Sequence, residues 1–485
     1  MPQTCEMTPL VLEGATRLRR RSLALRPNIA QFLLFTVVGL TLLFALVVHE
    51  TWPVSSVTSL KGTIKFDETF CSLPTHETGY IKLPNRAADH YFYWFVESQT
   101  APATDPLVLW LTGGPGCSSL TALLTENGPC YVHSDRSMKP NPYAWTNHAN
   151  VIWLDQPTGV GFSYGSDQIT DVEDDVAANI YWFIQVFLEK HPELKDRAFF
   201  VTGESYGGHF VPAAARYILK ANALRHVHPG ASHINVAGVA IGNGLTDPAV
   251  QYQHSVDMAV NSYNVTLLTE RAIEDMRKAQ PVCHELILKC QKDREMCAEA
   301  SEFCFATLEQ PYYQSGRNPY DIRKPCVAED VMTCVDFEHI EEYLNSPHVL
   351  AELGVDVQKS KPWRECDATV NARFALGEML SSADDVKLLL DAGVRVLLYA
   401  GDADLMCNWV GNQAWVMALD WSGKAAFNNA ANRQFGTSEV PDAGRVRSFE
   451  NLTFIRVFNS GHMVPMDQPA VSYHMINKFF HHENF

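Results

Sequence analysis

The sequence has fewer positive than negative charges, and it has no internal repeat, no low-complexity tract and no C-x-x-C pair. Its 38 lysines and arginines are outnumbered by 55 aspartates and glutamates, which gives a formal net charge of −17. Because no basic stripe remains, we do not expect a nucleic-acid partner. Because close cysteine pairs are missing, a zinc site is the less favoured interpretation of the cysteines.

The N-terminal residues differ in composition from the rest of the chain. Several arginines between positions 17 and 26 precede residues 29–48, an apolar run long enough to span a bilayer. This order predicts a cytoplasmic tail at residues 1–28 and a lumenal location for everything after the run. We favour an uncleaved signal anchor followed by a stalk at residues 49–60, and a cleaved signal peptide is the alternative. Either puts the protein in the secretory, endolysosomal or vacuolar lumen, and the anchor makes the membrane a partner.

The cysteines and two glycosylation sequences fit an oxidising compartment. Apart from Cys5, which lies before the anchor, eleven cysteines remain, an odd number that predicts at least one free thiol. Asn264-Val-Thr and Asn451-Leu-Thr are acceptor sequences for N-glycosylation.

Four cysteines recur at intervals of seven, at positions 283, 290, 297 and 304. Two turns of helix bring residues i and i+7 to one face. Two antiparallel helices could therefore form the nested pairs Cys283–Cys304 and Cys290–Cys297.

Apolar runs that each end in glycine, asparagine or aspartate alternate with helical stretches such as residues 172–191. This alternation predicts an α/β fold, with a mostly parallel sheet covered by helices on both faces. An aromatic stretch at residues 90–98 predicts a strand of an early antiparallel hairpin. The apolar runs occupy residues 107–111, 151–154, 199–201, 236–241, 394–399 and 454–458.

Residues 247–366 interrupt the alternation, because they are polar, helix-prone and rich in cysteine. We interpret them as a helical cap inserted into a catalytic domain made of residues 61–246 and 367–485. In a parallel α/β sheet, functional side chains gather beyond the carboxyl ends of the strands.

One such strand end carries Gly203-Glu-Ser205-Tyr-Gly, a G-x-S-x-G sequence between an apolar run and a helix. This context is typical of a nucleophile turn that exposes the serine Oγ above the sheet. A serine nucleophile needs a base and an orienting carboxylate. Asp402 and Asp404 follow one later strand and His462 follows another, so the order serine, aspartate, histidine matches the α/β-hydrolase fold. Spacing alone does not choose between the two aspartates.

The oxyanion of a tetrahedral intermediate also needs backbone N–H donors. Tyr206, directly after the serine, supplies one. The glycine turn Gly113-Gly114-Pro-Gly116 after an early strand is a natural source of the second.

Longer motifs make the chain resemble the serine carboxypeptidases, most closely the carboxypeptidase Y type, over residues 75–480. The motifs that carry the resemblance are WLTGGPGCSS from Trp110, LDQPTGVGFSY from Leu154, GESYGG from Gly203, YAGDAD from Tyr399, SGHM from Ser460 and GRNPYDIRK from Gly316.

The resemblance implies a triad of Ser205, Asp404 and His462, with the oxyanion bound by the N–H groups of Gly114 and Tyr206. It implies no metal and no organic cofactor. It also implies a subsite for the carboxylate of the substrate, formed by Trp110, Thr112, Gly113, Glu126 and Glu204.

Two carboxyls that face a substrate carboxylate cannot all be ionised, so at least one of Glu126 and Glu204 should have a raised pKa. This predicts an acid pH optimum for peptides. Thr112 departs from the family pattern, which has asparagine there. Its hydroxyl still offers one donor.

The resemblance further implies the bridges Cys117–Cys366 and Cys326–Cys334 and a free Cys407 near the substrate pocket. Met406 and Met463 would be the apolar neighbours of Cys407. Cys71 and Cys130 are left over and could pair with each other.

The sequence thus predicts a serine-type exopeptidase that acts on peptide and protein C-termini through an acyl-enzyme. Acyl transfer to an alcohol on the same scaffold is one alternative. A protective or chaperone-like binding role is another, from a different class of function.

Overall fold

A ten-stranded sheet forms the centre of the protein in the computed structural model, which describes residues 70–71, 76–165, 173–224, 230–326 and 334–485. The predicted tail, anchor and stalk lie outside these residues. Among the described helices, none combines the length and apolar character needed to cross a bilayer.

The strands are β1 His76–Lys82, β2 His90–Val96, β3 Leu107–Leu111, β4 Cys130–Val132, β5 Met138–Pro140, β6 Asn150–Leu154, β7 Phe199–Glu204, β8 Val236–Gly242, β9 Arg317–Asn318, β10 Asp321–Pro325, β11 Arg395–Gly401, β12 Arg433–Phe435, β13 Gly444–Phe449 and β14 Leu452–Val457. The order in the large sheet is β1-β2-β6-β3-β7-β8-β11-β14-β13-β12. Pairing is parallel from β6 to β14 and antiparallel at both edges.

The α-helices are α1 Ser119–Thr125, α2 Glu173–Lys190, α3 Gly207–Ala223, α4 Pro248–Gln251, α5 Glu270–Cys290, α6 Met296–Cys304, α7 Gln310–Tyr313, α8 Glu338–Leu344, α9 Pro347–Glu352, α10 Ala368–Phe374, α11 Ala383–Asp391, α12 Trp409–Ala418, α13 Lys424–Asn429, α14 Val464–Asp467 and α15 Pro469–Phe480. A π-helical turn, Phe305–Glu309, joins α6 to α7.

Helices cover both faces of the sheet because the central strands are apolar on both sides. Along β3, Leu109 points into one core with α2 and α3, whereas Val108 points into the opposite core with α1 and α15. A strand buried on both faces must be a continuous apolar run, and β3 is such a run. The predicted fold class, an α/β-hydrolase with a mostly parallel sheet, is confirmed.

Helices also dominate the stretch predicted as a cap, although its boundaries at residues 247 and 366 stay predictions. Antiparallel α5 and α6 bring together Cys283 with Cys304 and Cys290 with Cys297, in the nested arrangement that the seven-residue spacing predicts. A short hairpin of β9 and β10, which the sequence analysis did not predict, lies in the same stretch.

The structure also joins Cys117 to Cys366 and Cys326 to Cys334, the two pairs that the resemblance implied. It joins Cys71 to Cys130, the two cysteines that were left over. Cys407 is unpaired and buried.

Candidate active site

The turn between β7 and α3 carries Ser205 in a left-handed backbone conformation, with φ of +62°. A non-glycine residue adopts this conformation only when its surroundings impose it. Here the N–H of Ser205 donates to the carbonyl of Gly242, the last residue of β8. Close packing also requires glycine at position 203, since a Cβ there would lie 2.3 Å from the carbonyl oxygen of Leu111. The turn is thus held from both neighbouring strands, and Ser205 keeps partial exposure among buried residues.

His462 and Asp404 meet beyond the ends of β14 and β11, with 2.9 Å between His462 Nδ1 and Asp404 Oδ2. Both are buried: Asp404 is 0% and His462 4% exposed. The backbone N–H groups of Met406 and Cys407 also donate to the Asp404 carboxylate. A carboxylate held in this way fixes the imidazole in one orientation and leaves Nε2 to act on a substrate or nucleophile.

The other aspartate, Asp402, has different partners. Its carboxylate accepts from Arg456 at 3.0 Å and from the N–H of Asn459 at 3.0 Å. Asp402 therefore braces the turn that leads to His462, while Asp404 is the residue that contacts the imidazole.

Asn243 is a member of this arrangement that the sequence analysis did not single out. It follows β8, the strand between those of Ser205 and Asp404, and its Nδ2 donates to Asp404 Oδ2 at 2.7 Å. Its own Oδ1 accepts from the N–H of Gly401. The only signal in the sequence was a polar residue directly after a buried strand.

Tyr320, from a distant part of the chain, and Asp467, which follows closely in sequence, support the histidine turn. The carbonyl of Tyr320 accepts from the N–H of His462 at 2.8 Å, and its ring contacts the imidazole edge-on. Asp467 accepts from the N–H of Gly461 at 2.6 Å and forms ion pairs with Arg323 and Lys324.

The glycine turn after β3 lies directly against the nucleophile turn. A Cβ on Gly113 would be 2.3 Å from the backbone nitrogen of Tyr206, so only glycine allows this approach. Gly114 follows with φ of +103°. The Tyr206 side chain is anchored by a 2.7 Å hydrogen bond to Glu173 and by stacking on His209. The N–H groups of Gly114 and Tyr206, which are predicted to bind an oxyanion, thus lie on adjacent turns.

Glu126 and Glu204 form a buried carboxyl pair, each 3% exposed. Burial raises the pKa of Glu126 to about 8, while a hydrogen bond from Glu204 acts in the opposite direction. Burial and the neighbouring Glu126 raise the pKa of Glu204 well above its ordinary value. Both groups are therefore neutral below pH 8, and Glu204 is the donor within the pair.

Thr112 lies beside this pair of turns and binds Trp110. The indole N–H of Trp110 donates to Thr112 Oγ1 at 2.8 Å. Because that oxygen accepts from the indole, its single proton is left to donate elsewhere. The Trp110 side chain itself is fully buried.

A cavity beside the turn that follows Asp404 is lined by Met406 and Cys407, two of the three residues that the sequence analysis assigned to a substrate pocket. Met463 does not line it but packs at the edge of the core that contains α15. Burial, Asp404 and other carboxylates raise the pKa of the Cys407 thiol well above its ordinary value. Glu309, from the predicted cap, also lines the cavity.

The two glycosylation sequences differ in accessibility. Asn264 is exposed, whereas Asn451 is half-buried and donates to the carbonyl of Gly393. In the described part of the chain, no group of three or more His, Cys, Asp or Glu side chains could hold a metal ion.

A serine on a strand-to-helix turn, next to a buried Asp–His pair at the carboxyl edge of a parallel sheet, is the arrangement of a serine hydrolase of the α/β-hydrolase fold. Comparison with known proteins gives the family. A family model described as serine carboxypeptidase matches residues 67–482. The chain belongs to the serine carboxypeptidase family.

Relatives and a solved structure agree with this assignment. Serine carboxypeptidase-like 48 of Arabidopsis thaliana is 38% identical over 411 residues, which cover 83% of this chain and 78% of the relative. Carboxypeptidase Y homolog A of Leptosphaeria maculans is 40% identical over 398 residues, covering 80% and 70%. The crystal structure of Kex1Δp, a prohormone-processing carboxypeptidase from Saccharomyces cerevisiae, matches with a TM-score of 0.73 and 26% identity, over 85% of this chain and 92% of that one. The protein is a serine-type carboxypeptidase, a hydrolase that removes C-terminal residues.

Proposed function

We propose that Ser205 is the nucleophile, His462 the general base and Asp404 the residue that orients the imidazole. Ser205 Oγ attacks the last peptide carbonyl while His462 Nε2 takes its proton, and the same imidazole then protonates the leaving amine. Water attacks the acyl-enzyme in the second half of the reaction. The observation that carries this proposal is the 2.9 Å contact between His462 Nδ1 and the buried Asp404 carboxylate, two strands from Ser205.

The N–H groups of Gly114 and Tyr206 stabilise the oxyanion in this proposal. Their support is the close approach of Gly113 to Tyr206, which brings the two turns into contact. Donors fixed on rigid turns need no reorganisation as negative charge develops on the carbonyl oxygen.

The free carboxylate of the substrate binds at Glu126 and Glu204, with Trp110, Thr112 and Gly113. The buried, neutral carboxyl pair supports this role, because protonated carboxyls donate hydrogen bonds to a carboxylate. Substrate binding is then best below about pH 8, where the pair is neutral. This carboxylate subsite favours peptide hydrolysis over acyl transfer to an alcohol, an alternative for which the comparisons give no better support.

The test uses an N-blocked dipeptide and its C-terminal amide at pH 5. We expect fast release of the last residue from the free acid, slow release from the amide, and neither in Ser205→Ala. Ser134→Ala, which removes an exposed serine, is the matched control and should behave as wild type. Equal rates on acid and amide would contradict the carboxylate subsite, and activity in Ser205→Ala would contradict the nucleophile.

The proposed location is the lumen of the secretory or endolysosomal pathway, with membrane attachment through residues 29–48. The cysteine pairs and the exposed Asn264 support a lumenal location. In cells, treatment with an N-glycosidase should shift the electrophoretic mobility of the protein. The variant Asn264→Gln should show a smaller shift. Retention in the pellet after alkaline extraction distinguishes an anchor from a cleaved signal peptide.

A further inference from the structure

The cavity described above adjoins the turn that follows Asp404. It comprises about 490 Å³ of space that protein atoms do not fill, and this figure includes solvent at its open mouth. Its walls include Met406 and Cys407, whose N–H groups bind the Asp404 carboxylate, and the side chains of Leu308 and Tyr312. The residues of the carboxylate subsite do not contribute to its lining. Since the residue to be removed occupies that subsite, the cavity is left for the side chain of the preceding residue, here called the penultimate residue. This step rests on the proposed function.

A carboxyl group stands in the wall of this otherwise mostly apolar cavity. Glu309 ends the π-helical turn Phe305–Glu309 and accepts a hydrogen bond from the hydroxyl of Tyr252. Departures from regular α-helix of this kind occur frequently at functional sites. A second carboxyl, that of Glu378 in the segment after α10, acts electrostatically on Glu309. The cavity is therefore electronegative at Glu309.

We propose that Glu309 is a specificity-determining residue that makes the enzyme select substrates with arginine or lysine as the penultimate residue. The long aliphatic stem of such a side chain packs against the apolar walls, and its cationic end pairs with the Glu309 carboxylate. A neutral side chain of the same length gains the packing but not the ion pair.

This selectivity depends on pH because the Glu309 carboxyl titrates near neutrality. Burial and the negative charge of Glu378 raise the pKa of Glu309 to about 7, while the hydrogen bond from Tyr252 acts in the opposite direction. The titratable groups that interact with it are Tyr252, through the hydrogen bond, and Glu378 and the Cys407 thiol, through electrostatics. Glu309 is mostly neutral at pH 5 and ionised at pH 8. Preference for a cationic side chain therefore rises with pH over this interval.

The test compares N-blocked dipeptides that end in leucine and carry arginine or citrulline as the penultimate residue. Citrulline has nearly the shape of arginine without its charge. The ratio of the two kcat/KM values cancels the titration of the catalytic residues and of the carboxylate subsite. In wild type we expect the ratio to approach tenfold to a hundredfold at pH 8, from the ~1.5–3 kcal/mol of a charged hydrogen bond. It should be much smaller at pH 5.

Substitution of Glu309 tests whether its carboxyl causes the preference for arginine over citrulline. Glu309→Gln keeps the shape of the side chain and should bring the ratio close to one at every pH, with hydrolysis of a norleucine dipeptide changed only a fewfold. Glu299→Gln removes the same charge from an exposed position on α6 and should leave the ratio as in wild type. Lysine and norleucine give a second matched pair of substrates.

A wild-type ratio near one from pH 5 to 8 would overturn the proposal, and so would a ratio that Glu309→Gln leaves unchanged. The wild-type pH profile decides alone if Glu309→Gln does not fold. Failure of the proposed function is a different result, because the norleucine dipeptide would then not be cleaved at all.

Discussion

The carboxyl pair makes recognition of the substrate terminus sensitive to alkaline pH. Glu126 has a pKa of about 8 and loses its proton before Glu204, whose pKa is raised further. The substrate carboxylate is ionised throughout this range. Above pH 8, the subsite therefore presents a negative charge to a negative ligand, whereas below pH 8 it presents a neutral donor. Affinity for the free acid must fall as pH rises through about 8.

The size of the effect follows from Coulomb's law. Two unit charges about 4 Å apart repel by about 4 kcal/mol at an effective dielectric constant of about 20. This corresponds to roughly a thousandfold in binding. The ratio of kcat/KM for an N-blocked dipeptide to that of its amide should thus fall about tenfold per pH unit above pH 8, toward that limit. The ratio is the appropriate quantity because changes at the catalytic residues affect both substrates equally.

The double variant Glu126→Gln/Glu204→Gln removes both titrating groups and keeps amide donors. We expect it to show a ratio independent of pH between 6 and 10, measured under the same conditions as wild type. A flat ratio in wild type would refute the argument. So would a decline near pH 8 that persists in the double variant.

Three further predictions concern single contacts. Thr112→Val leaves the Trp110 indole without its acceptor and should raise KM for free acids about tenfold but not for amides, whereas Thr112→Ser should restore binding. Asn243→Ala should lower kcat about tenfold to a hundredfold with KM nearly unchanged, because it frees the Asp404 carboxylate, and an unchanged kcat would exclude this role. Replacing Cys283 and Cys304 by serine should cost about 3 kcal/mol in thermal unfolding, since their bridge closes a loop of 21 residues, and an unchanged Tm would contradict it.

The strands of the central sheet were predictable because they are buried on both faces. The run at residues 107–111 coincides with β3, and the other predicted runs differ from the strands by a few residues at their ends. A two-sided core forces such strands to be apolar throughout, and their ends are then marked by the first polar residue or glycine. The local pattern of apolar residues is therefore enough to locate these strands.

Contacts between distant segments were not predictable in this way. Asn243 and Asp404 are 161 residues apart and meet only because β8 lies between β7 and β11. The order of strands depends on the topology of the whole chain, which no local sequence pattern encodes. For the same reason, spacing left Asp402 and Asp404 equivalent, while their partners in the structure differ. Glu309 is a comparable case, because its position depends on the packing of the helices in the predicted cap.

The β9–β10 hairpin belongs by sequence to the predicted cap and by its hydrogen bonds to the catalytic centre. Tyr320 accepts from His462, Pro319 accepts from Leu405 just after Asp404, and Ile322 donates to Ala403 just before it. Exchanging the whole cap for that of a relative, in order to transfer its substrate preference, would remove these hydrogen bonds. The turns that carry Asp404 and His462 would then lose their support. Chimeras should therefore keep residues 317–325 from the parent that supplies the sheet and exchange only the helical part.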